Sequence, residues 1–212
     1  MIRNEEFSLT LQFDYSNTPN RMKRIAIFAS GNGSNAENII RYFRQFPSDG
    51  KVVLVVCNRA GAGVIDRAHR LGVESHVMTR DEINDPEMML PLMDEFGVDV
   101  VVLAGFLLMV PGFLIERYHD RMVNVHPSLL PKYGGKGMYG RYVHEAVVAA
   151  GDKESGITIH LVSEQCDEGR IIFQASVPVL PTDTPADVES KIHDLERLHF
   201  PRVIHETFCM EK

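Results

Sequence analysis

The chain has no tryptophan, only three cysteines among its 212 residues, and no apolar run near the roughly 20 residues a membrane helix needs. Cys57, Cys166 and Cys209 are odd in number and scattered. They fit neither a disulfide framework nor a zinc-ligand spacing, and they suit a reducing compartment. The N-terminus lacks the basic-then-apolar pattern of a secretory signal, so a cytoplasmic location without a membrane partner is expected. Positive charge is also short. With 22 Lys and Arg against 29 Asp and Glu, the formal net charge is -7. That argues against nucleic acid as a partner, while leaving room for a local basic pocket around a phosphate. The remaining composition, 44% hydrophobic and 24% charged, is that of a globular domain with a sizeable core.

Residues 1–21 have weak periodicity and precede a second methionine, Met22, after which regular patterning starts. They read as a disordered N-terminal appendage, a leader or a misassigned start, ahead of one domain over residues 22–212. "KRIAIFAS", "GNGSN", "AENIIRYFRQF" and "KVVLVVCN" read as strand, glycine-rich turn, helix and strand. Further strands follow in "ESHVM" and "VDVVVLAGF", separated by helical stretches at residues 64–71 and 86–96. Near-continuous runs such as "VVLVV" are typical of strands buried on both faces, and their alternation with helices implies a parallel sheet. Later, "SGITIHLV" and "RIIFQASVPVL" are separated only by "SEQCDEG", too short for a crossover helix, so that pair is antiparallel. The expected fold is a single α/β, Rossmann-like domain with a mixed, mainly parallel sheet and helices on both faces. A last helix is expected from Thr184 as cap and Pro185 at its first position, running towards Phe200.

Four segments can carry chemistry. "SGNGSN", Ser30 to Asn35, sits where the first strand turns into the first helix. Its glycines let backbone N–H groups approach an anion, and the helix N-terminus adds positive potential. A bare tight turn and a dinucleotide site are the alternatives. The dinucleotide reading wants an acidic residue at the end of the second strand, where Cys57, Asn58 and Arg59 stand instead. The second segment is "NVHPSLLP", Asn124 to Pro131, at the carboxyl end of a sheet strand, the edge where open α/β sheets bind ligands. Asn124 and His126 are two apart and so face the same way along a strand, able to stabilise an oxyanion together. In "CDEG", Asp167 is placed to stabilise a His126 imidazolium and raise its pKa. A solvated turn aspartate is the alternative. Fourth, "AGFLLMVP" offers Phe106, Leu107, Leu108 and Met109 as an apolar slot for a flat ring, or as core packing under a loop. Ser128 has no evident general base and reads as a loop-fixing hydroxyl.

Taken in order, "SGNGSN", "VVVLAGF", "NVHPSLLPKYGG" and "DEG" resemble the phosphoribosylglycinamide formyltransferases, folate-dependent enzymes of purine synthesis, over essentially residues 22–208. The resemblance implies direct transfer of the formyl group of 10-formyltetrahydrofolate, as co-substrate, to the amine of N1-(5-phospho-D-ribosyl)glycinamide. No metal is implied. Asn124, His126 and Asp167 match the catalytic trio. Gly33, Ser34 and Asn35 match the substrate-phosphate loop, and Glu196 a position that helps hold the glycinamide. Phe106, Leu107, Leu108, Met109 and Val110, with Glu164, Gln165, Cys166 and Asp167, correspond to the folate pocket. Leu108 stands where many members carry Arg, and "RDEIND" departs from the family at the helix after the third strand, with Arg80 as a partial substitute. The loop "KYGGKGMYGRYVHEAV", with Lys136 and Arg141, is expected to form a mobile flap over the site.

Methionyl-tRNA formyltransferases share the His-Pro-Ser motif but usually add an RNA-binding domain, and this chain is short and acidic. Formyltetrahydrofolate hydrolase, which typically carries an N-terminal regulatory domain, is the nearest alternative. A non-catalytic nucleotide-binding Rossmann module is another; it would bind a nucleotide without formyl transfer. The expected assembly is a monomer or homodimer. His144 is unassigned, and His160 is placed on the site side of its strand.

Overall fold

The computed structural model describes residues 21–210, so the expected appendage falls outside the described residues except for Arg21. Seven strands form one sheet in the order β3-β2-β1-β4-β5-β6-β7. They are β1 (Lys23–Ala29), β2 (Gly50–Cys57), β3 (Glu74–Val77), β4 (Val100–Leu103), β5 (Met122–His126), β6 (Glu154–Leu161) and β7 (Ile171–Pro178). The first five pair in parallel, while β6 and β7 run antiparallel to their neighbours. The mixed sheet anticipated from the short "SEQCDEG" connection is therefore present.

The strands read as apolar runs because both faces are covered. In β1, Ile25, Ile27 and Ala29 enter one core, under α1 (Ser34–Phe43), α2 (Gly63–Arg70), α6 (Arg141–Ala150) and α7 (Pro185–Phe208). Ala26 and Phe28 enter the other, under α4 (Pro86–Glu95), α5 (Gly112–Arg117) and the short α3 (Arg80–Asn84). All five side chains are fully buried. At about 1.5–3 kcal/mol for each large aliphatic or aromatic side chain, β1 alone anchors both layers.

Four elements differ from the expectations. The short helices α3 and α5 lie in stretches with no readable periodicity. Residues 141–150, expected as part of a long loop, form α6, because Val143 and Val147 are one helical turn apart and both enter the core. The last helix starts at the expected Thr184 cap, with a capping box to Asp187, but continues through Pro201 to Phe208. Pro201 has no N–H for the carbonyl four residues back, and that carbonyl, of Arg197, accepts instead from Asn38 Nδ2 at 2.9 Å.

The chain runs outward from β1 through β2 to β3, then returns to the other side of β1 as β4. That reversal opens a crevice beyond the carboxyl ends of β1 and β4, where doubly wound sheets place ligands.

Candidate active site

The crevice is a cavity of ≈ 830 Å³ walled by the loop before α1, the ends of β4 and β5, the stretch 135–140, Asp167 and one face of α7. At the loop before α1, Gly33 is the helix N-cap in the left-handed region, φ 79. A Cβ there would lie 2.6 Å from Val64 Cα, so both conformation and space demand glycine. No side chain caps the helix, and its first amides point into the cavity with positive potential. Asn35 Nδ2 donates to Glu196 Oε2 at 2.8 Å, linking this loop to α7. Gly33, Ser34, Asn35 and Glu196 thus all line the cavity. Burial pushes the Glu196 carboxyl above its ordinary range, against the opposing hydrogen bond from Asn35.

Asn124 and His126 leave β5 into the same cavity. Asn124 Nδ2 donates to His160 Nε2 at 3.1 Å, and His160 Nδ1 donates to the Leu161 carbonyl at 2.9 Å. His160 sits at a register shift between β6 and β7, the kind of bulge that re-aims a side chain, and it does face the site. Asp167 lies in the β6–β7 connection with φ 60, a conformation costly for a residue other than glycine. Its Oδ2 is 3.4 Å from His126 Nδ1 and accepts from the Gly135 N–H at 3.0 Å, while Oδ1 is 3.6 Å from His160 Nε2. Gly169 sets this loop: a Cβ there would meet the Leu161 carbonyl oxygen at 1.6 Å, so only glycine lets the loop lie against β6.

The electrostatics of His126 are opposed. His126 is only 3% exposed, and burial pulls its pKa below the ordinary imidazole value; Asp167 and the Tyr133 carbonyl pull it upward but do not prevail. Each ring nitrogen faces an acceptor, Nε2 the Tyr133 carbonyl and Nδ1 the Asp167 carboxylate. Asp167 remains ionised. Burial alone would raise its pKa, yet His160, the potential of His126 and the Gly135 amide together hold it below the usual carboxylate range. His126 Nε2 donates to the Tyr133 carbonyl at 2.7 Å. Ser128 Oγ donates to the Lys132 carbonyl at 2.5 Å, the loop-fixing role expected of it.

Beside Asn124 and Asp167 a narrow slot of ≈ 100 Å³ is walled by Phe106, Leu108, Met109, Val110, Ile115 and Val162, with Gln165 and Cys166 at its rim. Phe106 is fixed edge-on against Phe28, ring centroids 5.4 Å apart. Leu107 faces the main cavity instead, and its N–H donates to Ser30 Oγ at 2.9 Å. Glu164 is exposed and lines neither space. Within the stretch expected as a flap, Lys136, Gly137, Tyr139 and Gly140 are exposed and Gly134, Gly135 and Met138 half-buried, while Val143, His144 and Val147 are buried. Arg80 also reaches the cavity wall.

The sequence reading missed Glu189 and His193. They share a helical face with Glu196 at spacings of four and three residues, a periodicity that would have found them. His144, left unassigned, is a buried cavity-wall residue whose Nδ1 has no partner and whose pKa burial lowers. Among the described residues no group of three or more His, Cys, Asp or Glu is arranged to hold a metal ion, and no helix is long and apolar enough to cross a membrane.

The formyl transferase family matches residues 23–204. Phosphoribosylglycinamide formyltransferase of Haemophilus influenzae is 35% identical over 187 residues, covering 86% of each chain. The chloroplastic phosphoribosylglycinamide formyltransferase of Arabidopsis thaliana is 36% identical over 197 residues, 90% of this chain and 68% of that one. Longer relatives are spanned less, 62% of a second chloroplastic enzyme and 14% of a trifunctional purine biosynthetic protein. The structure of glycinamide ribonucleotide transformylase 1 from Geobacillus kaustophilus superposes with a TM-score of 0.80 at 33% identity, covering 88% of this chain and 99% of that one.

Proposed function

Because this chain belongs to the formyl transferase family, we propose that it transfers a formyl group from 10-formyltetrahydrofolate to the primary amine of N1-(5-phospho-D-ribosyl)glycinamide. The observation that carries the reading is the meeting of three features in one crevice: an uncapped helix N-terminus, a narrow apolar slot, and Asn124, His126 and Asp167 between them. The spare amides of Ser34 and Asn35 suit the phosphate. Glu196, held to Asn35, suits the sugar or glycinamide end of the same molecule. The Phe106 to Val110 wall suits the flat ring of the folate, which supplies the formyl carbon at the slot's open end.

As the amine attacks that carbon, negative charge builds on the formyl oxygen. The Asn124 amide, oriented by His160, donates to this oxygen. One such donor is worth about 10²- to 10³-fold in rate, and a protonated His126 adds positive potential beside the oxygen. The amine sheds its proton to His126 Nδ1, giving an imidazolium that Asp167, 3.4 Å away, stabilises; as the intermediate collapses the bond from the formyl carbon to N10 breaks, and the proton passes by way of Asp167 to the departing N10. The test is dependence on both substrates. Turnover requiring the ribonucleotide as well as the folate supports transfer, whereas deformylation indifferent to the ribonucleotide makes the chain a hydrolase.

A further inference from the structure

Tyr133 holds a backbone conformation that a bulky residue adopts only when its surroundings enforce it, φ 57. The restraints lie on both sides. Its phenol donates to Asp152 Oδ2 at 2.8 Å, and the same carboxylate takes Lys132 Nζ at 2.6 Å. Upstream, the Leu130 N–H donates to Thr158 Oγ1 at 2.9 Å, and Gln174 Nε2 donates to the Leu130 carbonyl at 3.1 Å. Asp152 stands in the turn between α6 and β6, with a side chain 17% exposed, and it makes no contact with the cavity that holds Asn124 and Asp167.

The product of this clamp is the direction of one carbonyl. Tyr133 O lies 2.7 Å from His126 Nε2. A carbonyl oxygen can only accept, so Nε2 carries a proton in both charge states of the ring. In the neutral ring Nδ1 is then bare, and it faces Asp167 Oδ2.

We propose that Asp152 is a positioning residue of the site: by holding Tyr133 in its left-handed conformation it fixes the His126 tautomer with hydrogen on Nε2, making Nδ1 the only ring nitrogen that exchanges a proton during the reaction. A proton entering at Nδ1 forms the N–H bond from the nitrogen lone pair and gives the imidazolium. The proton is the one shed by the attacking amine, and it leaves by the same nitrogen through Asp167 to the departing folate nitrogen, so the Nε2 proton stays in place and both ring and carboxylate are unchanged over a cycle. The inference rests on the formyl-transfer reading for its catalytic meaning, but the tautomer itself does not.

The experiment uses the full chain labelled with 15N-histidine, with His126 assigned by difference from His126→Gln, at a pH above the imidazole titration. The wild type should show a single Nε2–H tautomer at His126. Tyr133→Phe, which removes one oxygen, and Asp152→Asn should each give a mixture of tautomers, and kcat should fall about tenfold with KM within twofold, the signature of lost alignment. Should Asp152→Asn fail to fold, Tyr133→Phe decides alone. A wild-type ring protonated at Nδ1, or a tautomer unchanged in Tyr133→Phe, overturns the proposal. Tautomer mixing in a protein whose wild type transfers no formyl group would sink the functional reading and leave the clamp standing.

Discussion

Gly169→Ala offers the sharpest link between packing and catalysis. Gly169 is not in the left-handed region, so alanine meets no backbone penalty, and the perturbation is one methyl group. That methyl would lie 1.6 Å from the Leu161 carbonyl oxygen, 2.7 Å from the carbonyl carbon and 3.4 Å from His160 Nδ1. To reach even a tight 3.0 Å contact the loop must retreat by about 1.4 Å, because β6 is pinned between β5 and β7 and cannot yield. Asp167, two residues away, moves with the loop and leaves its 3.4 Å approach to His126. A misplacement of about 1 Å in a reacting group costs on the order of 10²-fold in rate. Overpacking of this kind costs about 1–3 kcal/mol, or a few degrees in Tm for a domain of this size. The expected result is kcat for formyl transfer reduced about 100-fold, with the protein still folded by circular dichroism. If kcat stayed within twofold of wild type while the crystal structure showed Asp167 displaced from His126, the Asp167 geometry would not matter to the rate and the reasoning would fail.

Asn124→Ala should lower kcat by about 10²- to 10³-fold with little change in the KM of the ribonucleotide, measured by steady-state kinetics. An effect confined to KM would assign Asn124 to ground-state binding. Gly33→Ala, with its Cβ against Val64 and φ at 79, should raise the KM of the ribonucleotide at least tenfold and lower Tm; an unchanged KM would remove the α1 loop from phosphate binding. Burial holds His126 and His144 below the ordinary imidazole value, so the unfolded chain binds more protons between the folded and unfolded values. Their contribution is fully present above the unfolded value near 6.5 and is lost as pH falls, at up to about 1.4 kcal/mol per pH unit for each. Glu196, raised by burial, pulls the other way, so the comparison should be made between variants. The fall in Tm between pH 7 and pH 5.5 should be shallower in His144→Gln than in wild type, and equal slopes would mean that His144 does not titrate with unfolding.

The parts of the molecule legible in the sequence are those where one physical demand acts alone. "VVLVV" reads as a buried strand because both its faces are covered, and "NVHPSLLP" stands out because polar groups end an apolar run. Elsewhere several demands overlap. α3 and α5 are too short to show a period. α6 hides behind the glycines of residues 134–140, and α7 passes Pro201 only because Asn38, distant in sequence, supplies the missing donor. The environment of His126 is legible only in part for a related reason. A neighbouring carboxylate can be guessed from a motif, whereas the burial that outweighs it is a property of the assembled core. The clamp of Tyr133 by Asp152 likewise joins residues 19 apart through a backbone angle that no residue type announces.

The most direct test of the central claim follows the formyl carbon itself. With a 13C-formyl folate donor and the unlabelled ribonucleotide, carbon NMR of the wild-type reaction should show the label moving into an amide on the glycinamide nitrogen, and His126→Ala and Asp167→Asn should each abolish that transfer at equal protein concentration. Label recovered as free formate, or transfer that persists at wild-type rate in both variants, would contradict the assignment of the reaction to this site.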